Sequence, residues 1–146
     1  MNRAGRALTY GLLGWGIEIC YTAAKDVLEG KGDGKLTGES YVWMFPIYAA
    51  GGLAGEVVRS TMSGRPWWQR GIAYAGAFWA VEASTGEAIR RAVGDVPWGE
   101  DYRTYRDQLG NGLIRLSYGP QWAVAGFALE QVTPVLRRLV LEKRVA

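Results

Sequence analysis

Four glutamates, Glu18, Glu56, Glu82 and Glu130, each interrupt an otherwise apolar stretch of this chain. A carboxylate inside an apolar helix must be paired, protonated or bound to something, so these four positions constrain any fold more than composition does. They also recur in a pattern. Tyr10-x4-Trp15-x2-Glu18 returns 64 residues later as Tyr74-x4-Trp79-x2-Glu82. Pro46 to Glu56 then aligns with Pro120 to Glu130, sharing the proline, Ala49/Ala123, Gly52/Gly126, Ala54/Ala128 and the glutamate. Two matches in the same order predict an internal repeat, about 1–65 and 66–140, of a helical pair.

The 146 residues suffice for one domain with its own core. Seven Trp, eight Tyr and 21 Gly, with 49% apolar residues and charges gathered between apolar runs, resemble the charge distribution of membrane chains. The mean hydropathy of −0.07 is low for such a chain, and no run of eighteen residues lacks a charge. If the glutamates are allowed inside spans, segments 7–24, 41–58, 71–86 and 113–136 are each long enough to cross a bilayer. The expectation is therefore an all-α fold: a single membrane domain, 1–146, forming a four-helix transmembrane bundle of two duplicated parallel hairpins. Nine Lys/Arg against the single acid Glu142 in the N-terminus, the 59–70 turn and the tail place both termini on the cytoplasmic side of a cytoplasmic membrane. Glu18, closing the apolar run after Arg3 and Arg6, argues that the first helix is retained rather than cleaved as a signal.

One Cys and no His exclude a disulfide framework within the chain and make the usual zinc and haem sites unlike this composition; a metal would need oxygen ligands. No cofactor is expected. The basic residues mark segment ends without interleaved aromatics, so nucleic acid is not an expected partner. Cys20 lacks an obvious base and reads as a small apolar residue rather than a catalytic nucleophile.

Helix one is expected over 6–24, helix two from Pro46, helix three over 71–90 and helix four from Pro120, kinked or ended near Pro134. Counted from Arg6 and Arg70, Glu18 and Glu82 lie about 18 Å along their helices; counted from Pro46 and Pro120, Glu56 and Glu130 lie about 15 Å along theirs. All four would then sit near mid-depth. Gly14, Gly52 and Gly126 precede three of them by one turn and predict close approach of a neighbouring helix on that face. Candidate internal partners are Arg115 and Arg59, with Tyr10, Tyr48 and Tyr74 as donors. The expected ligand or ion site comprises Glu18, Glu56, Glu82 and Glu130 with Trp15, Trp79, Tyr48, Trp122 and Arg115. Two readings stay open: a transport-related site that binds or passes a cation, proton or cationic small molecule, and a structural or accessory membrane protein whose protonated glutamates are interhelical hydrogen-bond glue. Lipid bilayer, a cationic ligand, and a homodimer or larger membrane assembly are the corresponding partners.

The strings Leu12-Leu-Gly-Trp-Gly-Ile-Glu18, Trp43-Met-Phe-Pro-Ile-Tyr48, Glu82-x-x-Thr-Gly86 and Leu113-Ile-Arg-Leu-Ser-Tyr-x-Pro-x-Trp122, with Gly126 and Glu130, resemble the family of small polytopic membrane proteins named ABC-transporter type IV. The resemblance covers most of the chain and implies a polytopic helical membrane protein. Members often carry Trp-Asp-Tyr in the long connection, where this chain has Trp98-Gly-Glu-Asp-Tyr102. The chain carries no nucleotide-binding motif of its own.

Overall fold

A computed structural model describes residues 2–32 and 34–141, with side chains described as far as residue 138. Four long helices carry the structure: α1 (Arg3–Leu28), α2 (Met44–Thr61), α3 (Trp67–Val93) and α5 (Gly119–Leu141). Between α3 and α5 lie a short helix, α4 (Gly99–Arg103), and an antiparallel pair, β1 (Gln108–Leu109) and β2 (Ile114–Arg115). A 3-10 turn, Leu116–Tyr118, leads from β2 into α5. The all-α expectation holds at this level. The tail beyond residue 141, including Glu142, Lys143 and Arg144 of the charge count, lies outside the described residues.

Local chemistry sets the helix ends. The Asn2 side chain caps α1 by accepting the Gly5 N–H at 2.8 Å. Gly94, at φ 98°, closes α3 in the left-handed conformation that favours glycine. Pro46 sits in the first turn of α2, where its missing N–H is no loss. Pro134, expected to bend or end the last helix, lies inside α5, which continues to Leu141.

Helix α1 packs on α2, α3 on α5, and α2 joins the two pairs by packing on α3 and α5. Tyrosines and glycines set the closeness of the first two contacts. The Tyr48 ring lies on Gly14, Tyr10 on Gly52 and Tyr74 on Gly126, where an added Cβ would fall on the ring. These contacts fix an antiparallel register in α1–α2: Gly14 opposite Tyr48, Tyr10 opposite Gly52, and Arg6 opposite Glu56. Tyr74 opposite Gly126 and Arg70 opposite Glu130 do the same for α3–α5. The buried core is aromatic and small, with Tyr10, Ile47, Tyr74, Phe78, Tyr102 and Leu136 among its members, and it encloses Glu56, Glu82 and Thr133.

The structure overturns the transmembrane reading. Among the described residues, no helix is long and apolar enough to cross a membrane. The helices have the length, at 26, 18, 27 and 23 residues, but glycine, alanine and charge dilute their apolarity. The integral-membrane location, the cytoplasmic-membrane orientation and the intramembrane transport function fall with it.

Replacing Gly126 by Ala should destabilise the fold by about 1–3 kcal/mol, because Tyr74 has nowhere to retreat inside the core. The same change at Gly76, which faces open space, should be neutral or stabilise by up to about 1 kcal/mol through helix propensity. Chemical denaturation of the two variants checks the contrast.

Candidate functional site

The four glutamates do not converge. Glu56 and Glu130 lie opposite Arg6 and Arg70, while Glu18 and Glu82 lie twelve residues further along those helices, about 18 Å. Counting depth from the prolines fails for a geometric reason. In the observed register Pro46 and Pro120 stand roughly level with Glu18 and Glu82 instead of one helix length away. Ten residues further on, Glu56 and Glu130 have therefore travelled to the arginine-rich end.

Glu56 is the more heavily bonded of that pair. Its oxygens accept Arg6 Nε at 2.6 Å, Arg6 Nη2 at 2.8 Å, the Tyr10 hydroxyl at 2.8 Å and Arg137 Nη2 at 3.2 Å. Tyr10 also meets the Thr133 hydroxyl at 2.9 Å, which brings α5 into a network begun by α1 and α2. Burial alone would raise the Glu56 pKa, but hydrogen bonds from Arg6, Tyr10 and Arg137 outweigh it and hold the carboxyl down to about 2. Glu130 repeats the motif with fewer bonds, accepting Arg70 Nη1 at 2.7 Å and the Tyr74 hydroxyl at 3.0 Å. Tyr10 and Tyr74, expected as donors, do donate to glutamates. By sequence, Arg6 and Arg70 mark only helix ends. The spacing Arg-x3-Tyr, repeated at 6–10 and 70–74, was the available signal, since i and i+4 share a helix face.

Glu18 and Glu82 are surrounded differently. Ser40 donates to Glu18 at 3.0 Å, with Tyr48 at the same carboxyl. Tyr102 donates to Glu82 at 3.0 Å and the Trp122 indole at 3.2 Å. No cationic side chain among the described residues pairs with either. Desolvation consequently raises both carboxyls, against the opposing hydrogen bonds, and takes Glu82 up to about 7. Tyr48 senses both carboxylates and is itself pushed up, mainly by burial. Tyr102 and Ser40 were missed from sequence because both lie in connections whose path only the tertiary fold sets.

The remaining expected site residues scatter. Arg115 reaches none of the four glutamates: its guanidinium lies 3.2 Å from the Tyr105 ring centroid and 4.7 Å from that of Tyr118, with Asp107 at 3.7 Å. Trp79 donates to the Arg115 backbone carbonyl at 3.1 Å. Trp15 packs edge-on against Phe45, and its buried Nε1 has no hydrogen-bond partner among the described residues. Only Tyr48 and Trp122, of the expected companions, touch a glutamate. Among the described residues no group of three or more acidic or thiol side chains gathers as a metal would need.

Comparison with family models, curated proteins and solved structures finds no match.

Two outcomes follow from these environments. Glu82 holds a proton in the folded state that the unfolded chain releases above about pH 4.5, so stability should fall as pH rises from 4.5 to about 7, by about 3 kcal/mol in total. Glu82→Gln should remove most of that slope, read as the change in denaturation midpoint between pH 5 and pH 8. Glu56 has the opposite sign: its contribution is complete above 4.5 and is lost as pH falls towards 2. Glu56→Gln, which strands Arg6 beside an uncharged amide, should cost about 3 kcal/mol at neutral pH in the same assay.

Proposed function

We propose that this chain is a structural assembly protein, a helical unit that associates with a second copy of itself through the outer face of α1. One observation carries the proposal. From Leu8 to Leu28 every exposed residue of α1 is uncharged: Leu8, Leu12, Leu13, Gly16, Ile17, Cys20, Tyr21, Ala24, Val27 and Leu28. Several are large and strongly exposed, including Leu12 at 62% and Ile17 at 68%. An uncharged face about 30 Å long exceeds what an isolated chain leaves in water without cost, so it needs a cover. A twofold contact brings a surface against itself, and a face without charge meets its own copy without repulsion. Gly16, Cys20 and Ala24, spaced by four, let two α1 helices approach closely.

The inner chemistry suits such a role. Glu56 and Glu130 spend their hydrogen bonds on arginine and tyrosine of the same chain, and Glu82 spends its own on Tyr102 and Trp122, so the interior is built for rigidity. The matched triads Arg6–Tyr10–Glu56 and Arg70–Tyr74–Glu130 support an origin by duplication of one helical hairpin. The resemblance to the ABC-transporter type IV family rests on the quoted strings alone and contributes nothing to this reading.

Sedimentation of the purified chain should show a dimer at micromolar concentration, and mild oxidation should link the two copies through Cys20. Leu12→Lys combined with Ile17→Lys should yield a monomer with unchanged helicity. A monomeric parent chain, or a parent that stays monomeric while partitioning onto lipid vesicles, would overturn the proposal.

A further inference from the structure

The geometry points to a binding site for an anionic amphiphile, with a phosphate or carboxylate head at the arginine-rich end and a single alkyl chain in the seam between α2 and α3. A cleft of about 310 Å³ opens at that end, bordered by Arg3, Arg6, Arg137, Ser60, Glu56 and Val57. Among the described residues, three guanidinium groups face one carboxylate there, a surplus of two positive charges. Arg6 is committed to Glu56 through two short bonds. Arg137 gives that carboxylate one longer bond at 3.2 Å and leaves half its side chain exposed, so most of its donors remain for a ligand. Arg3 makes no ion pair among the described residues and stands exposed at the rim, in a first helical turn that contains no acid. A planar fork of this kind suits a phosphate or carboxylate.

The second cleft makes the ligand more than a free anion. It measures about 390 Å³ and is walled by Ala54, Val57, Val58, Ala77, Ala80 and Val81, with Ser84 its one polar member. Val57 lines both clefts, so the charged recess and the apolar one adjoin at that residue. The groove exists because α3 presents alanines to this seam and no side chain fills it. Charge at one end and hydrocarbon along the other is the complement of an alkyl phosphate or fatty acid. This seam is separate from the α1 face, so one ligand and one partner copy do not compete for the same residues.

Calorimetric titration of the full chain with monomeric octyl, nonyl and decyl phosphate tests the assignment. Affinity should rise roughly three- to fourfold per added methylene while the chain still finds groove to fill. Decyltrimethylammonium and decyl maltoside, with opposite and neutral heads, should bind at least about tenfold more weakly than decyl phosphate. Arg3→Ala should weaken decyl phosphate by about tenfold and keep the chain-length slope, whereas Ala80→Trp should flatten the slope and spare the weak binding of inorganic phosphate. Both positions are exposed, and thermal melts of the variants confirm that they fold. Equal binding of the maltoside, inorganic phosphate matching decyl phosphate, or an unaltered affinity in Arg3→Ala would each overturn the proposal.

Discussion

The bond between Arg6 and the buried Glu56 carboxylate holds the rest of this structure in place. A carboxylate with a relative exposure of 8% is tolerable only while its charge is met, and here it is met from two helices other than its own. Arg6 and Tyr10 bring α1 to it, and Arg137 brings α5, while Thr133 ties Tyr10 to α5 as well. Because each of these donors has a fixed place on its helix, the network sets the register of α1 against α2. The contacts of Tyr48 on Gly14 and Tyr10 on Gly52 fix the same register. Helix α5 is held a second time by Glu130, which repeats the ion pair with Arg70.

The two levels of carboxylate divide the work. At the arginine-rich end Glu56 stays ionised, because its hydrogen bonds from Arg6, Tyr10 and Arg137 are worth more than the desolvation they oppose. At the other level Glu82 finds, among the described residues, only the neutral donors Tyr102 and Trp122, and burial makes the proton its cheapest counter-charge. One residue type in two surroundings thus gives a permanent ion pair and a group that titrates near neutrality. Outside this interior, the helices turn uncharged faces outward, and the surface of α1 is the clearest instance.

Much of the local architecture was legible from residues. The long helical runs, Pro46 in the first turn of α2, and the close approach at Gly14, Gly52 and Gly126 follow from spacing and side-chain size. Tyr10 and Tyr74 were legible as donors because each shares a repeated pattern with a glutamate. The membrane expectation fails for a single reason: apolar stretches interrupted by carboxylates have the length of spans, but their glycine, alanine and charge leave none of the described helices apolar enough. Arg115 was expected among the glutamates because it stands inside an apolar segment, yet the β1–β2 turn carries it to Tyr105 and Asp107 instead.

Sequence by itself determined where the four long helices would lie and that four carboxylates would need partners, because periodicity and the desolvation of charge act over a few residues. Tertiary structure decided which carboxylate met a cation and which met only tyrosine, tryptophan or serine. Counter-charges such as Arg137, and neutral donors such as Tyr102, come from distant positions along the chain, and their arrival depends on helix register and on the path of the connections. That choice of partner, settled by packing, separates an ionised Glu56 from a proton-bearing Glu82.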